Sequence, residues 1–236
     1  MKKMTCEWRN LLFVNYQVPA EILEPYLPPH AELDYFNGKC YVSLIGFQFK
    51  NVTAAGIPVP FHTDFEEINL RFYVKRQVGD KWRSGVVFLR EIVDRPALSV
   101  LANTLFNENY QTAPTSQMVI KGDLDLQAKY SWKHQKTDYS IWVQAENIPT
   151  TVAEKSEDEF LIHRLWGYGQ QDDETTVEYN INHPRWSIFP IKNYEVSVDF
   201  LQFGTPFSIL NDKKPQSVLL ADGSEIEIIG SSSITN

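Results

Sequence analysis

Residues 67–74 read Glu67-Ile68-Asn69-Leu70-Arg71-Phe72-Tyr73-Val74, and the alternation of polar and apolar side chains in that run decides the fold class. A period of two belongs to a β-strand, so Ile68, Leu70, Phe72 and Val74 share one face while Glu67, Asn69, Arg71 and Tyr73 share the other. Two placements of the polar face are open. It lines a cavity if the sheet closes into a barrel, or it is a solvated outer face with ordinary charge pairs. The next run, 85–92, carries Arg90 and Glu91 on opposite faces, so one of them joins the side on which Arg71 lies. An arginine buried there requires a carboxylate partner.

Turn signals separate similar runs along most of the chain. Gly79-Asp80 divides 68–78 from 81–92, and Asn37-Gly38, a pair suited to the positive φ angles of a type I′ turn, divides 31–36 from 39–47. A polar patch, His134 to Thr137, and the pair Asp222-Gly223 make two further divisions. Four such hairpins predict an antiparallel sheet throughout. Helical signals are short. Pro19 opens a helix over 20–27 that Pro28-Pro29 ends; Asp94 caps one starting at Pro96; Ser156 and Glu159 form a capping box for a third running to about Gly167. With no repeat, linker or composition shift, residues 1–236 are expected to form a single, mainly β domain with a few short helices, a β-rich α+β fold.

Composition narrows the function classes. Hydrophobic residues make up 43% of the 236 and charged residues 22%, which describes a folded chain and not a disordered one. The net charge of −8, with no basic run, argues against nucleic acid as a partner. No apolar run approaches ~18 residues, so no membrane span is expected. Cys6 and Cys40 lack the spacing of a zinc site or a disulfide framework, which fits a reducing cytoplasm. His62, Asp64 and Glu66 alternate on one strand face, but that spacing is unspecific for a metal. Gly167-Tyr168-Gly169 fails the dinucleotide pattern and reads as a helix stop, and neither a nucleophile elbow nor a P-loop occurs. No metal and no cofactor is expected.

Several of these segments, in order and spacing, resemble the YqjF-like family of bacterial proteins. They are Trp8-Arg9-Asn10-Leu11-Leu12-Phe13-Val14-Asn15-Tyr16, Asn37-Gly38 with Tyr41-Val42-Ser43-Leu44, the run 67–74, and His183-Pro184 with Trp186. That family is placed in the acetoacetate decarboxylase-like superfamily, which implies an antiparallel, cone-shaped β-barrel around a small-molecule cavity, and by analogy a homo-oligomer. The decarboxylases act through a lysine that forms a Schiff base with a keto acid. The stretch matching the approach to their lysine pair is Glu91-Ile92-Val93-Asp94-Arg95-Pro96, and Ala97 and Leu98 follow it, so the resemblance implies a chain without that nucleophile. Lys75, Lys121 and Lys129 lie on predicted strands and read as exposed. An early arginine of those enzymes matches Arg9, and the acid of their following strand falls near Ser43.

The expected function is a cytoplasmic barrel binding a small carboxylate- or carbonyl-containing molecule held by Arg9 or Arg71. Glu67 and Glu91 would pair with the arginines or handle a proton, Asn69 and Tyr73 would donate hydrogen bonds, and His183 with Trp186 would close the mouth. Two alternatives stand beside it. One is a lyase or isomerase using Glu67 or Glu91 as general base beside an arginine. The other is a non-catalytic module that meets a protein partner through an exposed apolar patch.

Overall fold

The computed structural model describes residues 3–60, 62–96, 99, 103 and 109–235. In chain order its strands are β1 (Lys3–Val18), β2 (Glu32–Leu33), β3 (Cys40–Ala54), β4 (Ile57–Pro58), β5 (Phe65–Val78), β6 (Lys81–Val93), β7 (Tyr110–Thr112), β8 (Thr115–Lys121) and β9 (Asp125–His134). They continue as β10 (Thr137–Glu146), β11 (Thr150–Thr151), β12 (Trp166–Gln170), β13 (Thr176–Asn182), β14 (Ser187–Phe189), β15 (Ile191–Ser197) and β16 (Ser217–Ile234). Two short α-helices are described, α1 (Ala20–Leu23) and α2 (Glu157–Ile162).

Among the described residues, the strands β1-β3-β5-β6-β12-β13-β16 form one sheet whose ends meet, because β16 also pairs with β1. The result is a barrel-like ring. A second sheet, in the order β15-β10-β9-β8, lies against the outside of β1, β3 and β5. The chain therefore has two apolar layers. Leu12, Leu44, Leu70 and Phe72 face outward from the ring onto Ala128, Tyr130, Trp132 and Val143 of the second sheet. Phe13, Ile45, Phe47 and Phe88 face inward with Leu161 and Ile162 of α2. Both faces of β5 are thus buried, and its polar face is the inner one.

The two layers come into close contact at Gly46. A Cβ there would lie 2.5 Å from the ring of Tyr130, a fully buried side chain whose hydroxyl donates to the Asn10 carbonyl of β1 at 2.7 Å. Only glycine lets the aromatic ring sit on the β3 backbone.

The turns at Gly79-Asp80 and at 135–136 join long antiparallel pairs, β5 with β6 and β9 with β10. Asn37 and Gly38 have the positive φ angles expected, +49° and +76°, but close only the single bridge Phe36 to Lys39; β2 pairs with β5 instead of β3. Asp222-Gly223 is no hairpin. Strand β16 runs straight through it, and the +79° φ of Gly223 serves a close backbone approach, since a Cβ would meet the Trp8 carbonyl oxygen at 1.9 Å. The sheet is also not antiparallel throughout: β6 runs parallel to both β12 and β7. Between β6 and β12 the chain leaves the ring to build β8, β9 and β10 of the second sheet and α2, and such a long crossover can return in the parallel direction.

Pro19 precedes α1, which passes into a 3₁₀ turn ending at Tyr26, as the proline signals imply. Ser156 caps α2, its Oγ accepting from the Glu159 amide at 3.1 Å. The helix stops at Ile162, short of the expected Gly167, because Trp166–Gln170 is drawn into the ring as β12. The helix expected from Pro96, and Ala97 and Leu98 with it, lies largely outside the described residues.

Gly46→Ala is expected to lower the unfolding free energy by about 1–3 kcal/mol through overpacking against Tyr130, measured by urea denaturation. Gly122→Ala, where the nearest atom to a Cβ lies 3.5 Å away, should change it by less than ~0.5 kcal/mol.

Candidate functional site

Inside the ring lies a cavity of about 130 Å³, walled mainly by apolar side chains including Trp8, Leu11, Phe47, Phe65 and Phe88. Strict alternation cannot put all of these on one face. Trp8 and Leu11 are three residues apart, as are Phe49 and Val52, and Phe88 and Glu91, yet all six line the cavity. Each pair straddles a bulge. The β1–β3 register slips between Arg9 and Leu12, at Asn10 with φ +54°, and between Thr5 and Glu7, opposite Asn51 with φ +55°; the β5–β6 register slips between Leu70 and Arg71. One extra residue reverses the parity of a strand, and each bulge here adds an inward side chain.

The polar wall comes from β5 and β6. Glu67, Asn69, Arg71 and Glu91 are all buried and all line the cavity, and Asn69 lies directly across the strand pair from Glu91. Glu67 accepts from Asn69 Nδ2 and from the Tyr110 hydroxyl, each at 2.9 Å. Burial drives its carboxyl up to about 7, against the lowering pull of those two hydrogen bonds and of Arg71. Arg71 donates from Nη2 to the Leu161 carbonyl at 3.0 Å and lies over the Phe13 ring at 5.2 Å. That carbonyl belongs to the C-terminal end of α2, where helix carbonyls lack intrahelical partners and cations are favoured. Burial lowers the guanidinium's affinity for its proton, though an arginine remains charged at neutral pH. Asn69 Oδ1 and Arg71 Nε, both buried on this wall, have no hydrogen-bond partner among the described residues.

The other residues singled out in the sequence lie elsewhere. Tyr73 sits behind Arg71, its hydroxyl on the Leu161 carbonyl at 3.1 Å and 2.5 Å from Ser43 Oγ, which in turn donates to Asn15 Oδ1 at 2.6 Å. Arg9 points outward, paired with Glu7 at 2.7 Å, and with His183 it lines a separate open groove. The Asn10 bulge is the reason, because it gives the inward position to Leu11. His183 stacks on Trp186 at 4.2 Å, and Trp186 packs against Trp8 at 6.3 Å, so both stand a layer behind the cavity wall instead of closing its mouth. Burial pushes the His183 imidazole down to about 4 and keeps it neutral. Arg90 turns outward to Gln111.

Tyr110, Trp8 and Tyr179 line the cavity although no chemical pattern in the sequence marks them for it. Tyr110 reaches Glu67 only because β7 adds to β6 in parallel. Among the described residues no lysine lines the cavity, and Lys75 lies over Trp82 at 4.6 Å.

The fold is that of acetoacetate decarboxylase-like enzymes. One such enzyme from Sphingomonas wittichii RW1 superposes with a TM-score of 0.68 at 13% identity, over 99% of this chain and 93% of the other. The enduracididine biosynthesis enzyme MppR, complexed with the condensation product of pyruvate and imidazole 4-carboxaldehyde, gives 0.67 at 11% identity over 99% and 89%. Acetoacetate decarboxylase from Legionella pneumophila gives 0.65 at 14% over 98% and 87%. The chain itself belongs to the DUF2071 family, described as an uncharacterized conserved protein, whose model matches residues 5–225. The uncharacterized protein YqjF of Bacillus subtilis (strain 168) is 27% identical over 180 residues, 76% of this chain and 72% of that one.

The carboxyl of Glu67 sets a pH dependence. Its ordinary value is 4.5 and its folded value about 7, so between the two the native state holds a proton that the unfolded chain has lost. Its contribution to stability is fully present below 4.5 and is lost as the pH rises to about 7. Glu67→Gln is expected to flatten that part of the profile and to exceed the wild type at pH 8 by on the order of 3 kcal/mol. Parallel urea-unfolding profiles for the two proteins would rule this out.

Proposed function

We propose that the chain binds a small carboxylate- or carbonyl-containing molecule in the ring cavity, through Arg71 and Asn69, without a Schiff base. The observation that carries this reading is the set of unpartnered buried atoms on the lining of an otherwise largely apolar space: Asn69 Oδ1 and Arg71 Nε side by side on β5, with Trp8 Nε1 on β1. Buried polar groups in native proteins are nearly always hydrogen-bonded, so exceptions gathered on one lining mark where the polar atoms of a guest belong. The cavity volume, about 130 Å³, approaches the roughly 150 Å³ that accepts benzene, which sets the guest at about six heavy atoms. MppR, solved with the condensation product of pyruvate and imidazole 4-carboxaldehyde, supports a carbonyl compound as guest. Ala97 and Leu98 after Pro96, and a cavity without a lysine among the described residues, support non-covalent binding. The chain is read as one domain acting in the cytoplasm, and its two free, buried thiols suit a reducing compartment.

A second reading makes Glu67 a general base. Its folded value of about 7 is where a carboxylate best exchanges protons at neutral pH, and Arg71 on the same wall would stabilise the negative charge of an enolate.

A panel of short keto acids, hydroxy acids and lactones is expected to contain at least one compound that raises the melting temperature. Saturation at 100 times Kd adds ~2.7 kcal/mol, or roughly 5–10 °C for a chain of this size. A panel that leaves it unmoved counts against binding. For the second reading, a bound carbonyl compound should exchange its α-protons with D₂O, and Glu67→Gln should abolish that exchange. Borohydride trapping with acetoacetate is expected to label no lysine; a labelled lysine would overturn the non-covalent assignment.

A further inference from the structure

The polar wall of the cavity discriminates among the guests just proposed, a selectivity that rests on the binding reading itself. Arg71 Nη2 is drawn to the Leu161 carbonyl, while Arg71 Nε and Trp8 Nε1, both on the cavity lining, are buried donors without a partner among the described residues. Both two-donor edges of a guanidinium include Nη2, so its bond to Leu161 competes with the fork that a carboxylate prefers, whereas Nε alone suits a single carbonyl oxygen. Asn69 Oδ1 is the reverse case. It is an acceptor, buried in a residue only 1% exposed, and an acceptor is satisfied only by an O–H or N–H of the guest. The amide cannot be turned to supply a donor instead, because its Nδ2 is already on Glu67 Oε1 at 2.9 Å.

Charge points the same way. Glu67 and Glu91 line the cavity with one guanidinium, and as Glu67 ionises with rising pH an anionic guest meets growing negative charge on the same wall. Distance fits as well. Asn69 and Arg71 are two apart on β5, which spaces their Cα atoms by about 7 Å. Both side chains leave the same face of the strand, so one small guest can reach both.

We infer that the preferred guest is an uncharged compound of about six heavy atoms with a hydroxyl or N–H next to a carbonyl, the carbonyl on Arg71 Nε and the donor on Asn69 Oδ1. An α-hydroxyketone is the simplest member of the class. The selectivity is built from unmet partners: a dione leaves Asn69 Oδ1 unpaired, and a hydroxy acid adds the charge that the wall opposes.

Three probes of equal heavy-atom count test this by calorimetric titration of the whole chain: 3-hydroxy-2-butanone, 2,3-butanedione and lactate. At pH 7 the hydroxyketone is expected to bind at least about tenfold more tightly than either of the others, the factor that one well-placed hydrogen bond supplies. Lactate should bind more weakly as the pH rises from 6 to 8, while the hydroxyketone should not respond. Asn69→Leu should bring the hydroxyketone and the dione to equal affinity. Should that variant not fold, Glu67→Gln serves: it should raise the affinity for lactate severalfold relative to that for the hydroxyketone, and an unchanged ratio would count against the assignment. Lactate binding as tightly as the hydroxyketone, or the dione matching it in the wild type, overturns the assignment of the class but leaves a small-molecule site standing. If none of the three binds and the wider panel also fails, both readings fall together.

Discussion

A β-strand offers only every second side chain to one face, and this ring needs more inward groups than that rule allows. The structure meets the constraint with bulges. The slips beside Asn10, Asn51 and Leu70 fall among the strands that wall the cavity, and each reverses the inward parity once. Without the first, Arg9 and Leu11, two residues apart, would share a face, and the arginine would point into the ring beside Leu11. Without the third, Glu91 and Phe88 could not both face inward. The bulges also sharpen the local twist, which helps a sheet of this size to close.

Closure determines what the polar face of β5 costs. Both faces of this strand are buried, so Glu67, Asn69 and Arg71 lose water together and must find partners within the protein. They do so in different ways. Glu67 gives up charge, its carboxyl moving toward neutrality. Arg71 cannot, and it is held instead by the carbonyl end of α2 and by the faces of Phe13 and Tyr73. Helix α2 is therefore more than a plug. Its Phe160 carbonyl takes the Arg164 side chain, which pairs with Asp34 at 2.6 Å, so the two buried arginines meet adjacent carbonyls of one helix terminus.

How much of this was legible in the sequence depended on whether a pattern was local. The alternation at 67–74 defined the strand and grouped Glu67, Asn69 and Arg71, because a period of two needs only neighbouring residues. The resemblance in spacing identified the fold and family. What failed required knowledge of distant chain. Asp222-Gly223 looks like a turn, and only its crossing beneath Trp8 explains the positive φ. Trp166–Gln170 extends a helical pattern, but a vacant place between β6 and β13 makes it a strand. Arg9 reads as an equivalent of Arg71, yet a bulge one residue away reverses its face. Tyr110 carried no signal at all, since its role comes from a parallel pairing across the chain.

The outer sheet, which among the described residues contributes no side chain to the cavity lining, still governs its shape. Tyr130 of β9 packs on Gly46 and reaches past it to the carbonyl of Asn10, the residue at the β1 bulge. The same ring thus fixes the spacing of the two layers and holds the backbone conformation that turns Trp8 and Leu11 inward. The wall opposite is held as firmly, since β5 is paired on both sides, by β3 and β6, and covered on its outer face. A site framed in this way selects by fixed position and not by adapting to its guest, because the ordering that a mobile site would undergo on binding was completed when the chain folded.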